Sequence, residues 1–354
     1  MIGCIVRPKQ IHPLPAEEDC ARRLIQAEPG TSSGEQRVPE EASDVVLVTG
    51  ARGMVGGFVA AELQRAGFTV RAASRTPNLT GPWRETSILP AHDAGVDQFR
   101  HAMAGVAHVV HAAALNSDAA ASEADFVNAN AVLTARLAEA AAAVVPGRFI
   151  FVSSIRAVAE PGGPGPIDER TRGEPLSAYG RSKRAAERAA MEHYGEGSDR
   201  RLVCLRPAPI YGSGMRGGLA RLLRMADTPF PLPFGGIRSR RSLLSAESMA
   251  RAVVHLVTSA HPPAPAYIVS DRHPIGVDGI IAAFREGLER PRRLFALPPA
   301  LLARSAALAG ASSAWQSLAV EEVCDPSALI ATGWKAVEDS YGGLSALARS
   351  VKAG

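Results

Sequence analysis

The sequence predicts an α/β fold: a doubly wound parallel sheet carrying a smaller, mixed α/β lobe. Three observations predict it. From Val45 onward, short apolar, β-branched runs alternate with helical periodicities, the pattern of a parallel sheet covered on both faces. The first run, Val45-Val46-Leu47-Val48-Thr49, leads into glycines spaced G-x-x-G-x-x-G at Gly50, Gly53 and Gly56. Beyond Tyr211-Gly212 the alternation loosens into short helices and proline-bearing loops, which marks a second lobe. Residues 1–44 join neither pattern, because Pro8, Pro13 and Pro15 break any period and the stretch after Gly30 is polar. The expected organisation is a loosely ordered extension over 1–44, a main domain over 45–206 and a smaller lobe over 207–354, some of whose segments return to the main domain.

Composition narrows the function classes. A chain of 354 residues can bury one large core or two modest ones. Its hydrophobic content of 46% and mean hydropathy of +0.02 are those of a soluble globular protein. The net charge of +4 comes without a dense basic block interleaved with aromatics, so nucleic acid is not expected as a partner. The sharpest cluster, Arg238-Ser239-Arg240-Arg241, fits an anionic small molecule or a solvated loop. Cys4, Cys20, Cys204 and Cys324 show no Cys-x-x-Cys or Cys/His metal spacing, so no metal site is expected and a reducing cytoplasm fits. The apolar stretch from Phe295 to Ala311 is interrupted by Pro298, Pro299 and Arg304, so no membrane span is expected. No secretory leader is visible, and a cytoplasmic location follows as the expectation.

The glycine turn is the first element with chemistry. One glycine permits a sharp turn, a second lets the backbone approach a pyrophosphate, and a third lets helix and strand pack closely. The helix running from Val55 to Ala66, stopped by Gly67, offers its N-terminal N–H groups to phosphate. A dinucleotide site follows, lined by Gly50, Arg52, Gly53, Met54 and Gly56. The second strand, Thr69 to Ala73, ends at Ser74-Arg75, where an NAD site would place a carboxylate for the ribose 2′-OH. A hydroxyl and a guanidinium instead suit a 2′-phosphate, so NADP is favoured over NAD, unless Arg75 only faces solvent. A poorer third strand covers Ser87 to Asp93, and Asp93 at its end is a further cofactor contact. The strand within Ala107–Ala114 runs into Ala112 and Ala113, small residues that leave room for a flat cofactor. His108 and His111 point to opposite faces of that strand and read as structural. A long Ala-rich helical region, Ala119 to Val145, contains Asn130. The next strand, Phe149 to Val152, ends at Ser153-Ser154, and a Gly/Pro-rich loop from Ala159 to Pro175 reads as a mobile pocket wall.

The reactive constellation comes next. Tyr179 and Lys183 lie four apart at the start of a helix running to about His193, and so share one face. A free tyrosine has a pKa of about 10, and a neighbouring ammonium lowers it towards working pH. Ser154, at a strand's C-terminal end, can hydrogen-bond a reacting oxygen. Tyr-x-x-x-Lys alone is as often a surface helix with a tyrosine; behind a dinucleotide turn and a Ser-Ser strand end it is far more specific.

These residues carry a resemblance. Val48 to Gly56, Phe151-Val152-Ser153-Ser154 and Tyr179-Gly180-Arg181-Ser182-Lys183 resemble the extended short-chain dehydrogenase/reductase family, which includes NAD(P)-dependent nucleotide-sugar epimerases, dehydratases and ketoreductases. His111-Ala112-Ala113, Asn130 with Thr134, and Leu205 to Gly212 with Pro207 extend it, so that it covers roughly residues 45–350. The resemblance implies a Rossmann domain with a substrate lobe. It also implies Ser154, Tyr179 and Lys183 as catalytic residues, and Asn130 and Pro207 beside the cofactor. Pro231 to Arg238, Arg241-Ser242-Leu243-Leu244, Ile268 to Asp271 and Gly333-Trp334-Lys335 resemble the branch acting at C4 of nucleotide-diphosphate sugars in polysaccharide pathways. Arg241 then takes the diphosphate of the substrate, and Ser154 the sugar. A homodimer is implied through the helices around Asn130 and after Tyr179.

This chain departs from the branch at Gly218-Leu219, where relatives usually have Asn-Phe, at Ala246-Glu247 for Val-Asp, and in lacking a tyrosine soon after Ser154. The favoured expectation is NADPH-dependent reduction of a 4-keto nucleotide sugar. A 4-epimerase with tightly held NAD uses the same residues. A dehydratase lacks its carboxylate, because Ile155-Arg156 follows Ser154. A rival of another class is a non-catalytic NADP-binding sensor or scaffold on the same fold.

Overall fold

The computed structural model describes residues 44–354, apart from Asn78, residues 117–120 and 195–200, His261, Pro262, Ala309, Ala311 and Gly354. The extension expected over residues 1–44 therefore lies, except for Asp44, outside the described residues.

Seven strands form one parallel sheet: β1 (Val45–Thr49), β2 (Thr69–Ser74), β3 (Glu85–Ile88), β4 (His108–His111), β5 (Phe149–Val152), β6 (Leu202–Pro207) and β10 (Ala266–Val269). Their spatial order is β10-β6-β5-β4-β1-β2-β3. The chain winds outward from β1 in one direction, then crosses back to β4 and continues in the other. This reversal leaves a crevice at the carboxyl ends of β1 and β4, the place where such sheets bind nucleotides. The fold is therefore the doubly wound Rossmann-like α/β architecture that the sequence predicts.

The period of two along β1 explains the two cores. Val46 and Val48 join Val59, Leu63, Val253 and Leu256, beneath α1 (Met54–Arg65) and α7 (Ala246–Thr258). Leu47 faces the other way and joins Phe99, Leu137, Phe149 and Phe151, under α2 (Val96–Ala102), α4 (Leu133–Val144) and α5 (Ala178–Tyr194). A third core holds Leu222, Ile280, Phe284, Leu302 and Leu344. It gathers α6 (Gly217–Ala226), α8 (Val277–Gly287), α9 (Pro299–Leu308) and α12 (Tyr341–Ala353). Short pairings complete this part: β7 (Ile210–Tyr211) with β9 (Leu244–Ser245), and β8 (Arg240–Arg241) with β11 (Ile275–Gly276). α10 (Ser312–Ala319) and α11 (Ser327–Ile330) precede α12.

Several elements differ from expectation. β3 stops at Ile88, short of Asp93, because Pro90 brings no N–H to a ladder. Asp93 then falls in the exposed turn before α2, off the strand end where the sequence reading put it. Within the helical region expected from Ala119 to Val145, the backbone is helical from Glu123 to Val144 and widens inside it, as α3 (Glu123–Phe126), a π-helical turn over Val127–Val132 and α4. The loop expected as a mobile wall is tied down: Ile167 N–H donates to Val323 O at 2.8 Å, and Glu169 Oε1 accepts from Ile268 N–H at 2.8 Å. The later chain is also more regularly helical than its loosened periodicity suggested.

Candidate active site

The glycine turn is built by close approach. Gly50 adopts φ +72°, and a Cβ placed there would come within 2.7 Å of Ala113 N, so the turn lies directly on the backbone leaving β4. A Cβ on Gly56 would meet Gly50 O at 2.2 Å, so only glycine lets α1 start this close to the turn. Gly53 is the N-cap of α1 and its N–H donates to Gly50 O at 2.8 Å. No side chain caps this helix start and no acidic residue lies in its first turn. Its free N–H groups and partial positive charge remain available to a phosphate, flanked by exposed Arg52 and by Met54, the first helical residue. Ala112 and Ala113 line the same crevice and are half-buried.

At the end of β2, Ser74 Oγ lies 2.9 Å from Thr76 Oγ1 and accepts from Thr76 N–H at 3.2 Å, which shapes the turn. Arg75 follows it, exposed, and has no carboxylate partner among the described residues. An adenosine dinucleotide therefore fits the chain here: bare helix N–H groups for a pyrophosphate, small residues at the crevice floor, and a hydroxyl with a guanidinium at the second strand's end.

A buried chain of hydrogen bonds joins five elements behind this crevice. Thr49 Oγ1, at the end of β1, accepts from Ala113 N–H at 3.1 Å and contacts His111 Nδ1 at 2.7 Å. His111 Nε2 contacts Thr134 Oγ1 at 2.9 Å, and Thr134 O–H donates back to Asn130 O. Because the Thr134 proton is committed to Asn130, His111 Nε2 must donate and His111 Nδ1 must accept from Thr49. Burial, with Lys183 nearby, pushes the His111 pKa down to about 3, which agrees with a neutral ring. Asn130 then clamps the loop after β4: its Oδ1 accepts from Leu115 N–H at 2.7 Å, and its Nδ2 donates to Leu115 O at 3.1 Å. The same Nδ2 donates to Ser182 Oγ at 2.9 Å, whose O–H donates to Tyr179 O at 2.8 Å. The π turn places Asn130 where one carboxamide reaches both the loop and α5, and such turns recur at functional sites.

α5 brings Tyr179 and Lys183 to the carboxyl end of β5. Lys183 Nζ donates to Val152 O at 2.7 Å and lies 4.6 Å from the centroid of the Phe151 ring. Burial lowers its pKa to about 7, with Glu187 and Cys204 opposing the shift only in part. Ser154 follows β5 and caps a short 3₁₀ turn, Ile155–Ala157, accepting from Arg156 N–H at 3.1 Å. α5 lies against that turn: a Cβ on Gly180 would approach Arg156 O to 2.6 Å. Tyr179, half-buried, meets Phe126 edge-on with centroids 6.3 Å apart. Ser154, Tyr179 and Lys183 are thus gathered around one strand end, with Pro207 buried at the end of neighbouring β6.

Arg241 is placed differently. It is buried, and its Nη2 donates to Ser317 O at 2.7 Å at the C-terminal end of α10. Its Nε has no hydrogen-bond partner among the described residues. Beside it Arg156 Nη2 pairs with the buried Glu322 carboxylate at 2.5 Å. Burial lowers the Arg241 pKa, and Glu322 opposes that.

Sequence reasoning missed Thr49, Ser182, Phe151, Glu187 and Arg206 as parts of this site. Thr49 and Ser182 were within its reach, as the polar last residue of a buried strand and the neighbour of Lys183. Glu187 and Arg206 form a buried bidentate pair, Nε–Oε1 2.9 Å and Nη2–Oε2 2.7 Å, which only tertiary structure brings together.

Comparison with known proteins bears on the family and the fold. Residues 46–269 match the model of the NAD dependent epimerase/dehydratase family. The chain is 27% identical over 268 residues to a UDP-glucose 4-epimerase of Vibrio cholerae, covering 73% of this chain and 79% of that protein. It is 30% identical over 216 residues to a ceramide reductase of Caulobacter vibrioides, covering 60% and 61% respectively. Its fold matches a Thermus thermophilus UDP-glucose 4-epimerase solved with NAD, with a TM-score of 0.68, 20% identity, and 88% of this chain and 99% of that one covered. No helix among the described residues is long and apolar enough to cross a membrane. With the glycine turn, the switch-point crevice and the Ser/Tyr/Lys group on one sheet edge, the chain belongs to the NAD-dependent epimerase/dehydratase family of extended short-chain dehydrogenase/reductase enzymes.

Proposed function

We propose that this enzyme carries out oxidoreduction at C4 of a nucleotide-diphosphate sugar, as NADPH-dependent reduction of a 4-keto sugar in polysaccharide precursor synthesis. The observation that carries the reading is the gathering of Ser154, Tyr179 and Lys183 at the carboxyl end of β5. The cofactor choice rests on Ser74 and on Arg75, which has no carboxylate partner among the described residues, at the end of β2. The start of α1 and the end of β2 would hold NADP(H), which would supply the hydride. Tyr179 gives a proton to the carbonyl oxygen, Ser154 hydrogen-bonds that oxygen, and Lys183 holds a ribose hydroxyl while favouring the tyrosinate. A positioned acid of this kind contributes roughly 10²- to 10⁴-fold. Arg241 is the proposed diphosphate contact, and reaching it requires the end of α10 to give way. A homodimer through α4 and α5 is proposed alongside, with sedimentation mass as its test.

A second reading has specific support: the similarity to a UDP-glucose 4-epimerase favours transfer of hydride from C4 and back with retained NAD. The experiment is to release and identify the copurifying cofactor, then assay both reactions. Exchangeable NADP(H) with consumption of NADPH on a UDP-4-keto-sugar supports the reductase. Retained NAD with interconversion of UDP-sugars and no added cofactor overturns it in favour of the epimerase. Cofactor binding with neither activity leaves the sensor reading.

A further inference from the structure

The lobe built by α6, α8, α9 and α12 carries an apolar face that the active-site chemistry does not use. Residues 229–235 run beside residues 293–297: Leu232 N–H donates to Arg293 O at 3.0 Å, and Phe295 N–H to Leu232 O at 3.1 Å. Gly235 N–H closes the pairing on Phe295 O at 3.0 Å, and α9 follows directly. Leu232, Phe234 and Leu302 turn inward to the core of this lobe. Their neighbours turn outward: Phe230 is 70% exposed, Phe295 43%, Leu301 50% and Leu308 92%. The outer side of this ribbon and helix therefore carries large apolar side chains as well as the inner side, whereas a surface element needs only its inner side apolar.

Within the segment that carries α9 the charge is of one sign. From Arg290 to Val320 the sequence holds Arg290, Arg292, Arg293 and Arg304, and no aspartate or glutamate. Arg290 pairs with Asp227 and Arg292 with Asp278. Arg293 and Arg304 are exposed and, among the described residues, have no carboxylate partner. α6, which leads into the ribbon, adds exposed Arg221 and Arg224.

We propose that this face docks on the surface of an anionic lipid bilayer. Phe230, Phe295, Leu301 and Leu308 enter the headgroup boundary, and Arg293, Arg304, Arg221 and Arg224 meet lipid phosphates. Apolar side chains fringed by arginine, with Ser305 the one other polar side chain from Arg290 to Ala311, is the composition of interfacial segments. A protein–protein interface instead carries a mixed polar rim with paired donors and acceptors. A second copy docked by a two-fold axis would set arginines against arginines. The proposal is independent of the reaction catalysed and needs no spanning helix.

The test is cosedimentation of the full chain with sucrose-loaded vesicles, either of phosphatidylcholine alone or of equimolar phosphatidylcholine and phosphatidylglycerol. Binding is expected on the anionic vesicles and not on the neutral ones. Arg293→Glu with Arg304→Glu should lower the partition coefficient at least about thirtyfold. Phe230→Ser with Leu308→Ser should lower it at least about tenfold. Unchanged circular dichroism and urea midpoints separate these losses from unfolding; if a double variant fails to fold, Leu308→Ser alone gives the reading. Three results overturn the proposal: no binding to anionic vesicles, equal binding to both vesicles unaffected by arginine reversal, or a lipid-free dimer that Phe230→Ser with Leu308→Ser dissociates. The last result would place a second copy on the face.

Discussion

Replacing Lys183 by methionine should stabilise the cofactor-free protein while abolishing its chemistry. Lys183 is buried, with Val152 O and the face of Phe151 as its partners. Burial brings its pKa from 10.5 down to about 7. At about 1.4 kcal/mol for each tenfold change, that is roughly 5 kcal/mol against the charged fold. Methionine has similar volume and removes this cost, but leaves Val152 O without its donor, a loss of about 1–3 kcal/mol. A net gain of about 2 kcal/mol in urea unfolding at pH 7 follows. The sign of the pH dependence gives a sharper test. The folded pKa lies below the unfolded one, so between pH 7 and 10.5 the unfolded chain binds the extra proton. Wild-type stability should then climb with pH by up to about 1.4 kcal/mol per unit through that window. The methionine variant should lack this component. A variant less stable than wild type at pH 7, or one with the same alkaline slope, would refute the reasoning. Turnover, measured separately, should fall by at least about a hundredfold.

Tyr179→Phe should cut kcat at least about a hundredfold in steady-state assays while cofactor affinity and the urea midpoint stay unchanged. Arg75→Asp should shift the NADP(H)-to-NAD(H) affinity ratio by about ten- to a hundredfold in cofactor titrations, since it replaces a charge-assisted pair by repulsion. His111 is neutral when folded, with a pKa of about 3 against 6.5 unfolded. Stability carried by this ring is complete above pH 6.5 and lost as pH falls towards 3, and His111→Gln should flatten that acid limb in urea titrations. Arg206→Met should release Glu187 towards Lys183, raise the Lys183 pKa and move the alkaline stability slope above pH 9. An unmoved slope would show that Glu187 does not reach the amine.

The stretch from Val45 to Gly56 could be read from sequence because each step is local: a buried strand, a turn only glycine can make, and a helix opening on it. Tyr179 and Lys183 were readable for the same reason, since a spacing of four fixes a shared helical face. Asn130 was placed in the right region, but the π turn that aims it was not. An Ala-rich run has no marker for a widened turn, and the Thr134 hydroxyl that folds back on Asn130 O is one threonine among many residues. The end of β3 is set by Pro90, whose missing N–H stops the ladder before Asp93. Around Arg241 the sequence shows a basic cluster before a strand. That the carbonyl end of α10 lies over the guanidinium depends on contacts more than seventy residues apart. The second lobe's helices were under-read because their apolar faces answer to one another, α8 to α12 and α6 to α8, more than to any long period in a single segment.

The electrostatics at Lys183 follow from how α5 distributes its charges. Positions 179, 183 and 187 lie on one face, so the simplest outcome would be a Lys183–Glu187 pair along the helix. Such a pair would keep the ammonium charged and turned away from the crevice. Instead both Glu187 oxygens accept from Arg206, in a buried bidentate arrangement that anchors α5 to β6. Glu187 still favours the charged lysine, but more weakly than burial opposes it. Lys183 keeps a backbone carbonyl and an aromatic face, neither of which is a full counter-charge. Burial therefore holds its amine well below the usual lysine range, at about 7. The Asn130–Ser182 contact ties the turn of α5 that carries Lys183 to the π turn before α4. Arginine at 206 thus bears on the packing of α5 on the sheet and, through Glu187, on the protonation of Lys183 together. Substitution there should never change one of these without the other.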